Sequence, residues 1–270
     1  MFNQLSVVAF AMGIGNVALA FPTASIPTGE NGLRPTRTRS ALKEKRSDID
    51  SDAVVGFVTT VADDTEGTLM EKWWPYLYVV DGCVPFPAVD AEGDTSAGLA
   101  PTGSSDGDCS SSTGQVYARA ETYGDYYSIM YSWFMPKDEP NLLEGALGIG
   151  HRYDWENAVI VLTSESTDAT LVGMAASYHG DYNVCVGSDC DDYLDGTNPL
   201  IDYYSEDDLL DHSLGFTTTV GGMQPLIAWD ELPTVAQDAL TDKDWGSAIV
   251  PFLDSDFESY LEEAYGYLDI

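Results

Sequence analysis

Short β-prone runs divided by turn-forming clusters restrict this chain more than any other feature. Residues 54–61, 77–80, 115–120, 126–135, 158–163, 171–178 and 216–219 are rich in Val, Tyr and Thr and have the length of strands. Clusters of Gly, Asp, Ser and Pro separate them. Helical spacing of apolar residues is confined to the end of the chain, over residues 232–240 after Asp230 and at Phe257, Leu261, Ala264 and Leu268. Strands in series with helices only at the end bury their apolar faces most economically sheet against sheet. The predicted fold is therefore mainly β, a β-sandwich with a few peripheral helices. There is no internal repeat and no inter-domain linker.

The first 20 residues carry an apolar run that ends in Ala18-Leu19-Ala20, the small-x-small pattern of a signal-peptidase site. Residues 21–46 turn Pro-, Thr- and Arg-rich and close on the dibasic pair Lys45-Arg46. The expected organisation is a signal peptide (1–20), a removed pro-segment (21–46) and a single domain (47–270), secreted and extracellular. No later segment has the unbroken apolar length of a membrane-spanning helix. The formal net charge is −34, and six of the 11 basic residues precede Ser47. Such a field repels nucleic acid and suits acidic surroundings. The four cysteines of a secreted chain predict two disulfides, with three pairings open. Local pairing, Cys83 with Cys109 and Cys185 with Cys190, is expected because each pair brackets a turn-rich loop.

The chemistry concentrates between Ser128 and Leu162. Two apolar runs flank a polar stretch, read as a loop, that carries Asp138, His151, Asp154 and Glu156. An extended backbone puts Asp154 and Glu156 on one face and Trp155 on the other. Carboxylates without cysteines favour a hard divalent cation, Mg²⁺ or alternatively Ca²⁺, over zinc. Asp211-His212 precedes the apolar Leu214-Gly215-Phe216 and can fold onto the same rim. In so acidic a chain, a solvated acidic loop is the competing reading. A metal-dependent polysaccharide-degrading enzyme, with Glu156 as base and His151 as acid, is a third. His179 reads as a structural hydrogen-bonding residue, Trp73-Trp74 as half-buried core, and the acidic C-terminal segment as a docked surface helix.

GHRYDWE at Gly150 to Glu156 and SIMYSWFMPKD at Ser128 to Asp138 resemble the signature of the necrosis- and ethylene-inducing-peptide-like proteins. The resemblance continues through DGCVPFPAVDAEG around Cys83, GQVYAR at Gly114, SYHGDY at Ser177, QPLIAW at Gln224 and DWGSAIVPF at Asp244. It implies a sandwich similar to actinoporins and fungal lectins, and a secreted, non-enzymatic cytolysin. Such a protein binds glycosylinositol phosphorylceramide headgroups of plant plasma membranes through a divalent ion, usually Mg²⁺. It implies that Asp138 and Asp154 bind the ion directly while His151, Glu156, Asp211 and His212 order its waters. In the same reading, Tyr153, Trp155, Tyr203 and Tyr204 face ligand or membrane, and the Cys83–Cys109 bridge matches the family. A monomer is expected, and plant immune receptors are further candidate partners. Three departures stand out. Tyr153 replaces a second histidine, the segment after Asp138 is long, and Tyr203-Tyr204-Ser205-Glu206-Asp207-Asp208 replaces a tryptophan-bearing loop. They keep a second reading open, a non-lytic carbohydrate-binding or immune-eliciting member.

Overall fold

The structure is a computed structural model that describes residues 46–139, 150–205 and 211–270. The expected signal peptide and, apart from Arg46, the pro-segment lie outside the described residues. The largest sheet grows from local hairpins. Strands β4 (Val116–Tyr123) and β5 (Tyr126–Asp138) are joined through Gly124-Asp125, with Gly124 at φ 58, a conformation that suits glycine. Strands β7 (Leu171–Tyr178) and β8 (Asp181–Val186) are joined by His179-Gly180, both with positive φ, as a two-residue hairpin turn whose twist matches its strands requires. With β6 (His151–Leu162) between them and β12 (Leu226–Ala228) parallel to β4, the order is β12-β4-β5-β6-β7-β8.

A second sheet sets β10 (Asn198–Tyr204) between β11 (Ser213–Phe216) and β2 (Tyr76–Val79), with β9 (Leu194–Asp195) pairing one end of β10. Its strand β11 lies against β6 and β7, which makes the two sheets a sandwich. Strand β5 is buried from Tyr127 to Asp138 and β6 from Tyr153 to Leu162. Uninterrupted burial, in place of alternation, marks the centre of a sheet covered on both faces. Helix α1 (Thr65–Lys72) starts where Asp64 accepts a hydrogen bond from the Gly67 N–H at 3.0 Å. Helix α2 (Thr234–Asp242) follows β12, and helix α3 (Phe257–Leu268) packs Leu261, Ala264 and Leu268 onto β7 and β8. A short parallel pair, β1 (Asp48–Ile49) with β3 (Thr95–Ser96), ties in the N-terminal end of the described chain.

The mainly β sandwich and both late helices agree with the sequence reading. Residues 54–61 do not form the expected strand. Beyond one bridge at Thr60 they find no sheet partner, and Val55 and Val58 are 73% and 80% exposed, so β propensity there meets no apolar face. The strand expected at 216–219 lies at 213–216. Both bridges pair as expected, Cys83 with Cys109 and Cys185 with Cys190. Cys83→Ser with Cys109→Ser is expected to cost about 2–5 kcal/mol in denaturant unfolding, because the bridge closes a loop. An unchanged midpoint would count against that constraint.

Candidate metal centre

Strands β5 and β6 bring the acidic residues together at their common end. Asp138 pairs with His151 and Met135 with Asp154 across the ladder. The four residues expected in a polar loop are thus on strands: Asp138 closes β5, and His151 opens the β6 run that includes Asp154 and Glu156. Strict alternation would send His151 and Asp154, three residues apart, to opposite faces. The backbone avoids this at Tyr153, whose φ of 66 is left-handed and rare for a side chain of this size. Opposite it, Pro136 has no N–H to donate, and its carbonyl accepts the Leu99 N–H at 2.8 Å. At this break the donor atoms of Asp138, His151 and Asp154 come within 4.8 Å of one another.

A set of partners holds these donors. His212 Nδ1 lies 2.6 Å from Asp138 Oδ1, and the His212 backbone N–H donates to Asp138 Oδ2 at 2.9 Å. His212 Nε2 in turn sits 3.0 Å from Asp81 Oδ1, an ion-pair distance. Tyr203 stacks on the His212 ring at 4.7 Å and donates its hydroxyl to Asp154 Oδ2 at 2.8 Å. Gly82 has φ 79, and a Cβ there would come 2.6 Å from His212 Nε2, so only glycine lets the backbone close over that ring. Ser177 donates its hydroxyl to Glu156 and accepts the Asn157 N–H at 3.0 Å. Next to Asp138, Lys137 makes a buried ion pair with Glu139 at 2.9 Å and donates to the Ser104 carbonyl at 2.8 Å, which anchors the strand end.

His151 Nδ1 is 2.7 Å from the Tyr153 carbonyl. A carbonyl only accepts, so Nδ1 carries a proton and Nε2 turns toward Asp138 and Asp211, at 3.6 and 3.9 Å. A backbone carbonyl that fixes one ring nitrogen while the other faces carboxylates is the usual support of a metal-binding histidine. Burial, and then the charge of Asp138, push Asp154 up to about 7, partly offset by His151 and the Tyr203 hydroxyl. Burial and Asp154 push Glu156 well above the usual carboxylate range. Burial alone would lower His212, but the bonds to Asp138 and Asp81 outweigh it and raise it to about 9. For His151, Asp154 and Asp138 likewise overcome burial and raise it. Crowded carboxylates with imidazoles and no thiol suit a hard divalent cation.

No lysine or arginine among the described residues is left to supply that charge. Arg46, Arg119, Lys137 and Lys243 pair with carboxylates, while Lys72 and Arg152 donate to backbone carbonyls.

Of the residues expected to face ligand or membrane, Tyr153 and Trp155 do not. They are 8% and 7% exposed and pack with Phe134, Trp245 and Phe252 on the far side of β6. Tyr203 is also fully buried and meets Asp154 instead of solvent, whereas Tyr204 is half-buried. The five aromatic rings on the far side of β6 have more to gain from burying one another than from solvent, and strand alternation alone did not say which face was the core. Asp211 is exposed at the rim, and His179 is exposed in its hairpin turn, outside the ligand group. Trp73 is buried and Trp74 half-buried, as core residues. Sequence reasoning missed Asp81, Gly82 and Ser177. Asp81-Gly82 directly precedes Cys83, so a carboxylate pinned next to a disulfide was the available signal. The long segment after Asp138 and the acids at 206–208 lie outside the described residues.

A two-sheet sandwich that gathers buried carboxylates and imidazoles at the end of its central hairpin defines a β-sandwich domain with a candidate cation centre. Comparison with known proteins gives the family. The profile described as "Necrosis inducing protein (NPP1)" matches residues 67–264. "NLP effector protein 1" of Phytophthora capsici is 44% identical over 219 residues, 80% of this chain and 91% of that protein. The solved structure "NLPPya in complex with mannosamine" superposes with a TM-score of 0.74 at 43% identity, covering 81% of this chain and 99% of that one. "Crystal structure of non-toxic HaNLP3 protein" superposes at 0.73 and 37% identity, covering 79% and 97%. The chain belongs to this family of necrosis-inducing proteins.

Proposed function

We propose that this protein is a secreted necrosis-inducing cytolysin that binds sugar-bearing, anionic sphingolipid headgroups of plant plasma membranes through a divalent cation, most simply Mg²⁺. Asp138 and Asp154 would hold the ion, with His151, Glu156, Asp211 and His212 around it. The cation would supply the positive charge to which phosphate or hydroxyl oxygens bind. The observation that carries this reading is the convergence of the Asp138, His151 and Asp154 donors within 4.8 Å on one buried strand end. The remaining residues orient. His212 grips both oxygens of Asp138, Tyr203 holds Asp154, and Ser177 holds Glu156. The amino-sugar complex of a relative supports a sugar-bearing ligand. No helix among the described residues is long and apolar enough to cross a membrane, which fits action from the surface.

The test uses vesicles with and without plant glycosylinositol phosphorylceramide, each with Mg²⁺ or with chelator. Binding and dye release are expected only with both the lipid and the cation. Binding that survives chelation would separate the metal from recognition. A second reading, binding without lysis, has its own support: a relative described as non-toxic shares the fold. Headgroup binding without dye release would select it.

A further inference from the structure

The chain enters the fold at a well-defined place. The Ser47 N–H donates to Asp94 Oδ1 at 2.8 Å, and the Ser47 carbonyl accepts the Thr95 N–H at 2.9 Å. Asp48 and Ile49 then pair with Thr95 and Ser96, and Asp48 Oδ1 takes both the Thr95 hydroxyl and Lys243 Nζ at 2.7 Å. The Ile49 carbonyl accepts the Ala97 N–H at 2.7 Å. Asp94 is itself preset, because its N–H donates to Asp90 Oδ1 at 2.9 Å and its carbonyl accepts the Asp90 N–H at 3.0 Å. Arg46 is held differently, among the described residues by bonds of its side chain. Its two terminal nitrogens each lie 2.9 Å from a carboxylate of α2, Asp238 and Asp242, which are 57% and 53% exposed. Surface pairs of that kind exchange readily for water.

This side-chain-bound arginine is also the second residue of the dibasic pair Lys45-Arg46. We propose that hydrolysis after Arg46 turns the Ser47–Asp94 hydrogen bond into an N-terminal ion pair that locks the processed fold. A dibasic-specific endoprotease adds water across the Arg46–Ser47 amide and breaks its C–N bond. The Arg46 carbonyl carbon takes the hydroxyl and leaves as a carboxylate, and the Ser47 nitrogen takes the proton as an ammonium. That ammonium is created at the position where Asp94 already accepts a hydrogen bond, so no rearrangement is needed. An ion pair, charged on both sides, replaces a hydrogen bond with a charged acceptor alone. The lock connects along the chain to β6. Beyond Ser96, the Ala97 and Gly98 carbonyls take Arg152 Nη1 at 2.8 and 3.4 Å, and Gly98 lies close against the Tyr153 ring. Processing therefore tightens the segment that braces β6.

The experiment treats the full chain with a dibasic-specific endoprotease, sequences the new N-terminus and follows acetylation of its amine against pH, in the wild type and in Asp94→Asn. Cleavage is expected to begin the protein at Ser47. The Ser47 amine should titrate about one unit or more above the ordinary range of roughly 7.7–8.0 and react about 10-fold more slowly near neutral pH than in Asp94→Asn. Its pKa is raised by folding, so its stabilisation is complete below about 8 and disappears as pH rises through the shifted value. A cut elsewhere, a retained Arg46 or a Ser47 amine with an ordinary titration would each overturn the proposal. If Asp94→Asn does not fold, the wild-type titration alone decides.

Discussion

Replacing Asp154 by Asn is expected to lower divalent-cation affinity on the order of 100-fold or more while raising the melting temperature of the cation-free protein at pH 8. Affinity falls because the exchange keeps the shape and removes a charge from the donor set. Loss of a mere supporting partner already costs about 10–100-fold. Stability rises because Asp154 is buried beside Asp138 and holds its proton up to about 7. Above that pH two carboxylates repel in a dry site, and an amide ends the repulsion. Tyr203 can still donate to the amide oxygen. Asp256→Asn, at the start of α3 and distant in sequence, is the control and should do neither. Calorimetric titration with Mg²⁺ and Ca²⁺, and thermal melts in chelator, read the two effects. Equal cation affinity in wild type and Asp154→Asn would reduce the cluster to an acidic rim.

The second large effect is on pH. Folding raises the pKa of Asp154 to about 7, so the native state holds a proton that the unfolded chain has lost above about 4. Stability of the cation-free protein must therefore fall as pH climbs from about 4 to about 7, and Glu156 acts in the same direction. His212, raised to about 9, stabilises fully below about 6.5 and loses that contribution as pH passes through 9. Asp48 bounds the acid side. Burial would raise it, but Lys243 and Thr95 together lower it, so its stabilisation is lost below the usual carboxylate range. The cation-free protein should be most stable in mild acid, and saturating cation should remove the loss toward neutrality. Cation binding should release protons and weaken as pH drops below 7. Melts from pH 4 to 9, with chelator or with Mg²⁺, measure this. A cation-free protein that gains stability between pH 5 and 8 would refute the electrostatic account.

Much of the centre was legible from its spacing. Asp154 and Glu156 two apart on an extended chain, with Asp138 at the end of the preceding apolar run, were enough to propose a shared ligand. What directs His151 is a feature that spacing does not show: a left-handed Tyr153 opposite a proline. Composition does not reveal such a break, because tyrosine usually avoids that conformation. Burial of Tyr153 and Trp155 was equally hidden, since Trp245 and Phe252 come from about 90 residues further along. Among the elements, β7 lies at the residues expected for a strand and α3 follows its helical spacing. Helix α1 carries Gly67 in its interior, which lowers its propensity. A Cβ there would lie 1.9 Å from the Ala62 carbonyl, so the close turn of chain leading into the helix chose the residue. Strand β10 is absent from the expected runs, and it begins Asn198-Pro199, residues that disfavour a strand.

The commitment of every described lysine and arginine to an internal partner bears on how such a protein meets a surface. With a formal charge of −34 and no spare fixed cation among the described residues, its long-range field repels an anionic bilayer. Under the proposed function, attraction would begin only within the reach of one bound ion. Screening at physiological ionic strength leaves a reach of about 8 Å, so the repulsion is felt only over the last stretch before contact. On that reading encounter would be slow and selective, and residence would depend on the local supply of divalent ion. Added monovalent salt should speed arrival, the reverse of what a basic, lipid-binding protein shows.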